Sequence, residues 1–177
     1  MKTVKIKDKE FALSITSDEI HKAVSNIAKK INTDLTGKNP VFLVVLNGSF
    51  MFASDLFKQL TIPCEMSFIK VTSYQGTSST EDVKTLIGLS ENIKGRTIVV
   101  IEDIVDTGHT IEDIKNSLKQ KDPAEIYFCT CLFKPKAYLK SIKLDYIGIE
   151  IPNDFIIGYG LDYDGFGRNY PDIYKIV

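Results

Sequence analysis

Hydrophobic and polar residues follow one another along this chain in two rhythms, one typical of buried strands and the other of amphipathic helices. Short apolar runs predict strands at residues 40–46, 64–71, 83–89, 97–103, 125–133 and 145–151. Helical spacing predicts helices at residues 16–31, 49–60 and 110–121, the first opened by a capping-box pattern of Thr16 and Glu19. Strands that alternate with helices predict an α/β fold, a mostly parallel central sheet flanked by helices.

Two stretches lack either rhythm. Residues 72–82, TSYQGTSSTED, contain almost no apolar side chain and are predicted to form a loop. The tail from residue 153 onward is rich in Gly, Tyr and Asp and has no clear period. Because the 177 residues contain no internal repeat and no low-complexity tract, residues 1–177 are predicted to form a single domain.

Composition narrows the class of protein. A hydrophobic content of 44% and a charged content of 25% are ordinary for a globular protein, and a net charge of −1 argues against nucleic acid as the main partner. No apolar run is long enough to span a bilayer, and the N-terminus has no secretory signal, so no membrane partner is expected. The odd number of cysteines without a CxxC pair indicates reduced thiols in a cytoplasmic protein, with Cys129 and Cys131 buried on one face of a strand.

Candidate chemistry is concentrated in residues 99–111, VVIEDIVDTGHTI, where a buried strand turns into a helix. The N–H groups and hydroxyls of residues 106–110 lie at the positive end of that helix and suit a phosphate, yet Glu102 and Asp103 would repel one. The hydroxyls of a ribose would donate to these carboxylates, and a metal-bound diphosphate also favours nearby negative charge. The segment therefore predicts a site for a phosphorylated ribose, although a plain strand exit with a helix cap would show the same pattern.

Polar residues also follow the neighbouring predicted strands. Asn47 and Gly48 follow the first of them, and Lys134 follows the strand at residues 125–133. Ligands of parallel sheets bind beyond the carboxyl ends of the strands, where these residues are expected to meet. The two commonest nucleotide fingerprints, GxxxxGK[ST] and GxGxxG, are absent from the sequence.

Residues 99–111 resemble the phosphoribosyl pyrophosphate signature of the type I phosphoribosyltransferases: a hydrophobic run, two acidic residues, then D-T-G-x-T. Other stretches, in matching order over about residues 10–175, resemble the hypoxanthine–guanine phosphoribosyltransferases in their shorter bacterial form. These are VLNGSFMFASDL (45–56), SFIKVTSYQGT (67–77), LFKPKA (132–137) and FIIGYGLDYDGFGRNYPDI (155–173). The resemblance implies the type I phosphoribosyltransferase fold, with a small hood from about residues 1–15 and 150–177 and a mobile lid over about 73–85.

The activity that this resemblance implies belongs to purine salvage. It is the magnesium-dependent transfer of 5-phosphoribose from phosphoribosyl pyrophosphate to N9 of hypoxanthine and/or guanine, which gives IMP or GMP and pyrophosphate. A xanthine-preferring transferase stays open, whereas Lys134 and the tail motif disfavour an orotate enzyme. A fold-sharing regulator that binds nucleic acid is the alternative from another class. The family also implies a homodimer or a homotetramer.

Roles for the donor side follow from the resemblance, residue by residue. Glu102 and Asp103 match the pair that faces the ribose hydroxyls and the metal. The 5′-phosphate loop is matched by Asp106, Thr107, Gly108, His109 and Thr110, of which Asp106 is also the general base near N7 of the purine. Asn47, Gly48 and Arg168 match the pyrophosphate contacts, and the peptide bond before Asn47 is often cis in the family. Asn47 and His109 stand where many relatives carry basic residues, so backbone contacts are expected there.

The purine side and the lid are implied in the same way. Lys134 matches the lysine that recognises O6 of the purine, and Phe155 matches the aromatic residue that stacks on the base. Ile156 matches a residue whose backbone carbonyl faces the purine 2-position. Asp162 matches a second metal contact beside the purine. Ser73 and Tyr74 match the start of the lid, whose closure would exclude water from the reacting sugar.

Overall fold

The computed structural model describes residues 2–72, 84–87 and 92–177. Its elements, in chain order, are β1 (Thr3–Ile6), β2 (Lys9–Ile15), α1 (Ser17–Asp34), β3 (Val41–Leu46), α2 (Phe50–Phe57), β4 (Glu65–Thr72), β5 (Lys84–Ile87), β6 (Thr97–Val105), α3 (His109–Lys119), β7 (Glu125–Phe133), β8 (Tyr146–Glu150), β9 (Ile156–Ile157) and β10 (Ile173–Ile176). Ser73 and Tyr74, and residues 73–83 of the predicted lid, lie outside the described residues.

The central sheet confirms the predicted α/β fold. Its strands lie in the order β5-β4-β3-β6-β7-β8, and all neighbours from β4 to β8 pair in parallel, whereas β5 pairs antiparallel with β4. Strands β3, β6 and β7 are therefore adjacent. Their carboxyl ends, which carry the candidate residues, meet at one edge of the sheet.

Apolar side chains of both sheet faces hold the helices in place. Phe42 and Val44 of β3 pack with α1 and α2 on one face, and Leu43 and Val45 pack with α3 on the other. This period of two is what a strand covered on both faces requires, and it explains why β3 appears in the sequence as a continuous apolar run. Cys129 and Cys131 are buried free thiols, as predicted.

Helix boundaries differ from the predictions by a few residues. The capping box of α1 is present, since the Glu19 N–H donates to the Thr16 hydroxyl and the Thr16 N–H donates to the Glu19 carboxylate. Helix α1 continues to Asp34, because Leu35 adds one more buried contact beyond the predicted end at residue 31. The predicted end of α2 at residue 60 was wrong. The helix ends at Phe57, and the Gln59 and Leu60 N–H groups donate to carbonyls three residues earlier in tight turns.

The terminal segments form a second, antiparallel sheet in the order β1-β2-β10-β9, which we call the hood sheet. Its core consists of Ile6, Phe11, Ile157 and Tyr174. The Asp172 carboxylate accepts a hydrogen bond from the Ser17 N–H at 2.9 Å and thereby joins the hood sheet to the start of α1. Periodicity missed these strands because several span only two to four residues.

Candidate active site

The acidic pair Glu102 and Asp103 lies on β6, whose last residue is Val105, so the strand extends two residues beyond its predicted end. Glu102 is buried, and Asp103 is partly exposed. Burial, and secondarily the charge of Asp103, raise the pKa of the Glu102 carboxyl well above its usual range. Burial also raises the pKa of Asp103, to about 6, with Arg168 opposing the shift and Asp162 adding to it.

The raised pKa of Asp103 makes the stability of the folded protein depend on pH. The folded-state pKa of Asp103 exceeds the unfolded value of 3.8, so the folded protein binds more protons between pH 4 and pH 6. Stability contributed by this group is therefore lost as the pH rises through that interval. The nearby cations are engaged elsewhere, since Lys134 pairs with Asp106 and Arg168 with Asp162. Among the described residues, neither Glu102 nor Asp103 has an ion-pair partner, which makes them suited to an external cation.

Gly48 lies directly against the Asp103 carboxylate. A Cβ atom placed on Gly48 would stand 1.5 Å from Oδ2 of Asp103, so no side chain fits there. The Leu46–Asn47 peptide bond just before it is cis, and Asn47 is exposed. On its other side Gly48 meets Gly160, where a Cβ atom would stand 1.9 Å from the Gly48 carbonyl oxygen. The loop after β3 therefore packs closely between β6 and the loop that joins β9 to β10.

Arg168 and Asp162 belong to that same loop and form an ion pair with 2.7 Å between Nη2 and Oδ1. Arg168 also donates through Nη1 to the Gly160 carbonyl at 2.7 Å, and the Gly165 N–H donates to Asp162 at 2.7 Å. Gly160 of this loop packs on Gly48, which itself lies against Asp103, so the loop reaches the acidic strand end. Residues far apart in sequence thus meet around Gly48.

The predicted phosphate loop runs from Asp106 to the first turn of α3. Gly108 is the N-cap and adopts a left-handed conformation with φ of 86°, which a residue with a side chain adopts only with strain. A side chain would also meet the Tyr138 ring, 2.4 Å from an added Cβ atom. His109 is exposed, with its Nδ1 3.1 Å from the Thr107 hydroxyl, and Thr110 is exposed beside it. The loop therefore presents the N-terminus of α3 to solvent, which is the arrangement that binds anions.

Lys134 and Asp106 form an ion pair, with 3.0 Å between Nζ and Oδ2. Lys134 is buried and follows the last residue of β7, while the Asp106 side chain remains accessible and follows the last residue of β6. The two residues are thus held side by side by adjacent parallel strands. A donor and an acceptor at this separation can contact neighbouring atoms of one ligand.

Phe155 directly precedes β9 of the hood sheet, and Ile156 is the first residue of that strand. The Phe155 ring is 45% exposed and leans on Phe11 and Tyr163, with ring centroids 6.2 Å and 6.0 Å away. Much of the ring therefore stays free for a flat partner. The Ile156 side chain is buried, which leaves only its backbone for contact with a ligand.

The structure brings together most of the predicted site residues, in two groups. One group surrounds Gly48 and contains Asp103, Asp162 and Arg168, and the other is the pair of Lys134 and Asp106 with the phosphate loop. Sequence reasoning missed Tyr138, which packs on the phosphate loop, and Gly160, which packs on Gly48. Tyr138 could have been predicted as a neighbour of the site because it follows Lys134 by only four residues. No feature of the local sequence indicates that Gly160 packs on Gly48.

The parallel sheet, with an acidic strand end followed by a helix N-terminus open to an anion, places the chain among α/β proteins with a ligand site at the carboxyl ends of the strands, and the arrangement suits a phosphorylated sugar. The sequence pattern of the phosphoribosyl transferase domain family matches residues 16–164, so the chain belongs to that family. It is therefore a phosphoribosyltransferase enzyme with the type I fold.

Relatives and solved structures agree with this assignment. The chain is 36% identical over 160 residues to the hypoxanthine-guanine phosphoribosyltransferase of Streptococcus pneumoniae strain R6, covering 90% of this chain and 89% of the relative. It is 34% identical over 167 residues to the hypoxanthine phosphoribosyltransferase of Haemophilus influenzae, covering 92% and 93%. The crystal structure of a Bacillus anthracis hypoxanthine-guanine phosphoribosyltransferase matches with a TM-score of 0.88 at 35% identity, covering 98% of this chain and 100% of that one.

Proposed function

We propose that this enzyme acts in purine salvage by transferring 5-phosphoribose from phosphoribosyl pyrophosphate to N9 of hypoxanthine and/or guanine. The products are IMP or GMP and pyrophosphate. The observation that carries the proposal is the contact between Lys134 and Asp106, a buried cation beside an accessible carboxylate next to an anion-binding helix N-terminus. The names of the relatives in Streptococcus pneumoniae and Haemophilus influenzae support the same substrates.

The phosphate loop would hold the donor. In this proposal the N–H groups and hydroxyls of residues 106–110 bind the 5′-phosphate, aided by the positive end of α3. Glu102 and Asp103 accept hydrogen bonds from the ribose hydroxyls. Both carboxylates are short of cationic partners among the described residues, which suits ligands that donate.

Pyrophosphate would lie against the loop of Asn47 and Gly48. Its contacts are the backbone N–H groups at Asn47 and Gly48 and the guanidinium of Arg168. Because Gly48 carries no side chain, its backbone lies directly against Asp103 and can also come close to a bound phosphate group. Asn47 carries no charge, so Arg168 supplies the side-chain cation.

Magnesium fits this site through carboxylate oxygens. Glu102, Asp103 and Asp162 are hard oxygen donors, and the raised pKa values of the first two reflect carboxylates that an added cation would stabilise. Within the described part of the chain, no three acidic, His or Cys side chains form a metal cage by themselves. That agrees with a metal that retains waters and substrate phosphates as ligands. Bound magnesium would supply positive charge to the departing pyrophosphate.

Lys134 would recognise the purine, and Phe155 would pack against it. The Lys134 ammonium donates to O6, the exposed Phe155 ring stacks on the base, and the Ile156 carbonyl faces the 2-position. Asp106 acts as general base and takes a proton from the imidazole ring as N9 forms its bond to C1′ and the bond from C1′ to pyrophosphate breaks. Ser73 and Tyr74 would begin a lid that excludes water from the sugar.

Incubation of the purified protein with hypoxanthine, phosphoribosyl pyrophosphate and magnesium tests the proposal. We expect IMP and pyrophosphate in equal amounts, and Asp106→Asn serves as the control that lacks the proposed general base. A protein that forms no nucleotide with hypoxanthine or guanine would contradict the proposal. Xanthine in the same assay tests the xanthine-preferring alternative, because Lys134 would read its O6 as well. Filter binding with RNA tests the regulator, for which we expect no retention.

Assembly and location complete the proposal. Phe50, Met66 and Phe68 are exposed apolar side chains, 45%, 36% and 41% accessible, and Met66 and Phe68 alternate on β4. Such side chains are suited to an interface between copies, so we propose a homodimer or homotetramer, testable by light scattering.

In the part of the chain that the structure describes, no helix combines the length and apolar content needed to cross a membrane. We propose that the enzyme works in the cytoplasm.

A further inference from the structure

Tyr159 makes a contact that none of the roles above uses. It lies between Gly158 and Gly160, is buried, and adopts a left-handed conformation with φ of 49°. Its hydroxyl donates to Oδ2 of Asp55 at 2.8 Å, across 104 residues of sequence. A residue with a side chain at such a φ is uncommon, and here the buried hydrogen bond and close packing hold it.

Asp55 belongs to α2, the helix that begins immediately after the loop of Asn47 and Gly48. Burial by itself raises the pKa of Asp55, but hydrogen bonds from Lys58 and Tyr159 outweigh it, so the pKa is lowered and the carboxylate stays charged. A hydrogen bond to a charged acceptor is stronger than one between neutral groups. The hydrogen bond therefore connects α2 firmly to the turn that contains Gly160.

The same turn touches the loop that precedes α2. Gly160 approaches the Gly48 carbonyl so closely that a Cβ atom would stand 1.9 Å from it. The turn is held by its own backbone as well, since the Tyr159 N–H donates to the Tyr170 carbonyl and the Gly160 N–H to the Arg168 carbonyl. The turn thus contacts the Gly48 loop through Gly160 and contacts α2 through the hydrogen bond between Tyr159 and Asp55.

We propose that Asp55 and Tyr159 form a positioning pair that sets the distance between the Gly48 loop and Gly160, and with it the binding of the pyrophosphate group of the donor. Neither side chain touches substrate. The pair acts through the backbone of Gly48 and through Arg168, whose guanidinium donates to the Gly160 carbonyl. The inference rests on the proposed function, because it assigns the effect to the donor and not to the purine.

Tyr159→Phe removes only the hydroxyl and tests the proposal most directly. We expect the Kd of phosphoribosyl pyrophosphate with magnesium, measured by calorimetry, and its KM to rise by about fivefold to tenfold. The KM of hypoxanthine should stay within about twofold, because Lys134, the proposed contact of its O6, follows β7 and pairs with Asp106. If Tyr159→Phe affected folding alone, the melting temperature would fall and the ratio of the donor KM to the hypoxanthine KM would stay unchanged.

Variants of Asp55 supply an independent test if Tyr159→Phe does not fold. Asp55→Ala should weaken donor binding as Tyr159→Phe does, whereas Asp55→Asn should retain most of it, because the amide oxygen still accepts from Tyr159. Lys58→Met removes the ion pair of Lys58 with Asp55, which spans 2.7 Å, and should leave donor binding unchanged. Tyr127→Phe is the matched control, since its hydroxyl also donates to a carboxylate, Glu125, at the opposite end of the sheet.

Different outcomes would refute the proposed function and the positioning pair. If the parent enzyme forms neither IMP from hypoxanthine nor GMP from guanine, the proposed function fails. If the parent is active but Tyr159→Phe and Asp55→Ala bind the donor as Tyr127→Phe does, the positioning pair is refuted while the function stands. Equal increases in the KM of donor and purine would also refute it.

Discussion

Gly48→Ala changes one hydrogen into a methyl group at the centre of the site. The added Cβ atom would stand 1.5 Å from Oδ2 and 2.5 Å from Cγ of Asp103, while ordinary contacts begin at 3.4 Å. The φ of Gly48 lies outside the left-handed region, so the backbone itself tolerates alanine. The effect of the substitution therefore comes from displacement of the Asp103 carboxylate.

The size of that effect follows from the contacts. The carboxylate must move by roughly 2 Å, and its Oδ1 then loses the hydrogen bond from the Ile104 N–H, now 2.8 Å. Overpacking of this kind costs about 1–3 kcal/mol, so we expect a loss of about 2 kcal/mol in the free energy of unfolding. For a chain of this length the melting temperature should fall by about 4–8 °C. Displacing a carboxylate beside the donor should weaken donor binding by about 10- to 100-fold.

Calorimetry with phosphoribosyl pyrophosphate and magnesium measures the binding, and thermal unfolding measures the stability. Gly37→Ala is the control, because Gly37 has φ of 79° and open space around it. Backbone strain there should cost about 1 kcal/mol without changing donor affinity.

Two results would refute the reasoning. If Gly48→Ala bound the donor as tightly as the parent, the contact between Gly48 and Asp103 would have no role in the site. If Gly37→Ala weakened donor binding to the same degree, general destabilisation would explain both variants.

Three further predictions concern the carboxylates and the lysine. Asp106→Asn should lower kcat by about 10²–10⁴ in steady-state assays while donor affinity changes little, and a kcat within about threefold of the parent would exclude Asp106 as the base. Asp103→Asn, with chelator present, should raise the stability at pH 8 by up to about 3 kcal/mol and by nothing at pH 4. Denaturant titrations at both pH values test this, and an equal gain at each would contradict the raised pKa. Lys134→Gln should weaken hypoxanthine use and narrow the gap to adenine, because an amide can donate or accept. An unchanged ratio of kcat/KM values for the two bases would remove Lys134 from base recognition.

The central sheet could be predicted from sequence because its strands are buried on both faces. β3 and β7 therefore stand out as continuous apolar runs, and β7 begins and ends at the predicted residues 125 and 133. The phosphate loop was equally visible, since a strand, a glycine and a helix start follow one another within residues 99–111. For elements whose structure follows from their local sequence, the sequence was sufficient to predict their position.

Contacts between distant segments could not be predicted in this way. The strands β9 and β10 are two and four residues long, too short to show a period, and β10 lies between β9 and β2, which is far away in the sequence. The hydrogen bond between Tyr159 and Asp55 joins residues 104 positions apart, and no local pattern marks either partner. The approach of Gly160 to Gly48 likewise depends on the tertiary fold.

Selection between purines tests the central claim most directly. In a spectrophotometric assay with phosphoribosyl pyrophosphate and magnesium, kcat/KM is measured for hypoxanthine, guanine, xanthine and adenine. Lys134 is donor-only and would face the 6-amino group of adenine, so that donor would meet donor at a buried position. We predict turnover of hypoxanthine and/or guanine, with adenine disfavoured by about 10⁴-fold. Comparable turnover of adenine and hypoxanthine, or no turnover of any 6-oxopurine, would contradict the account.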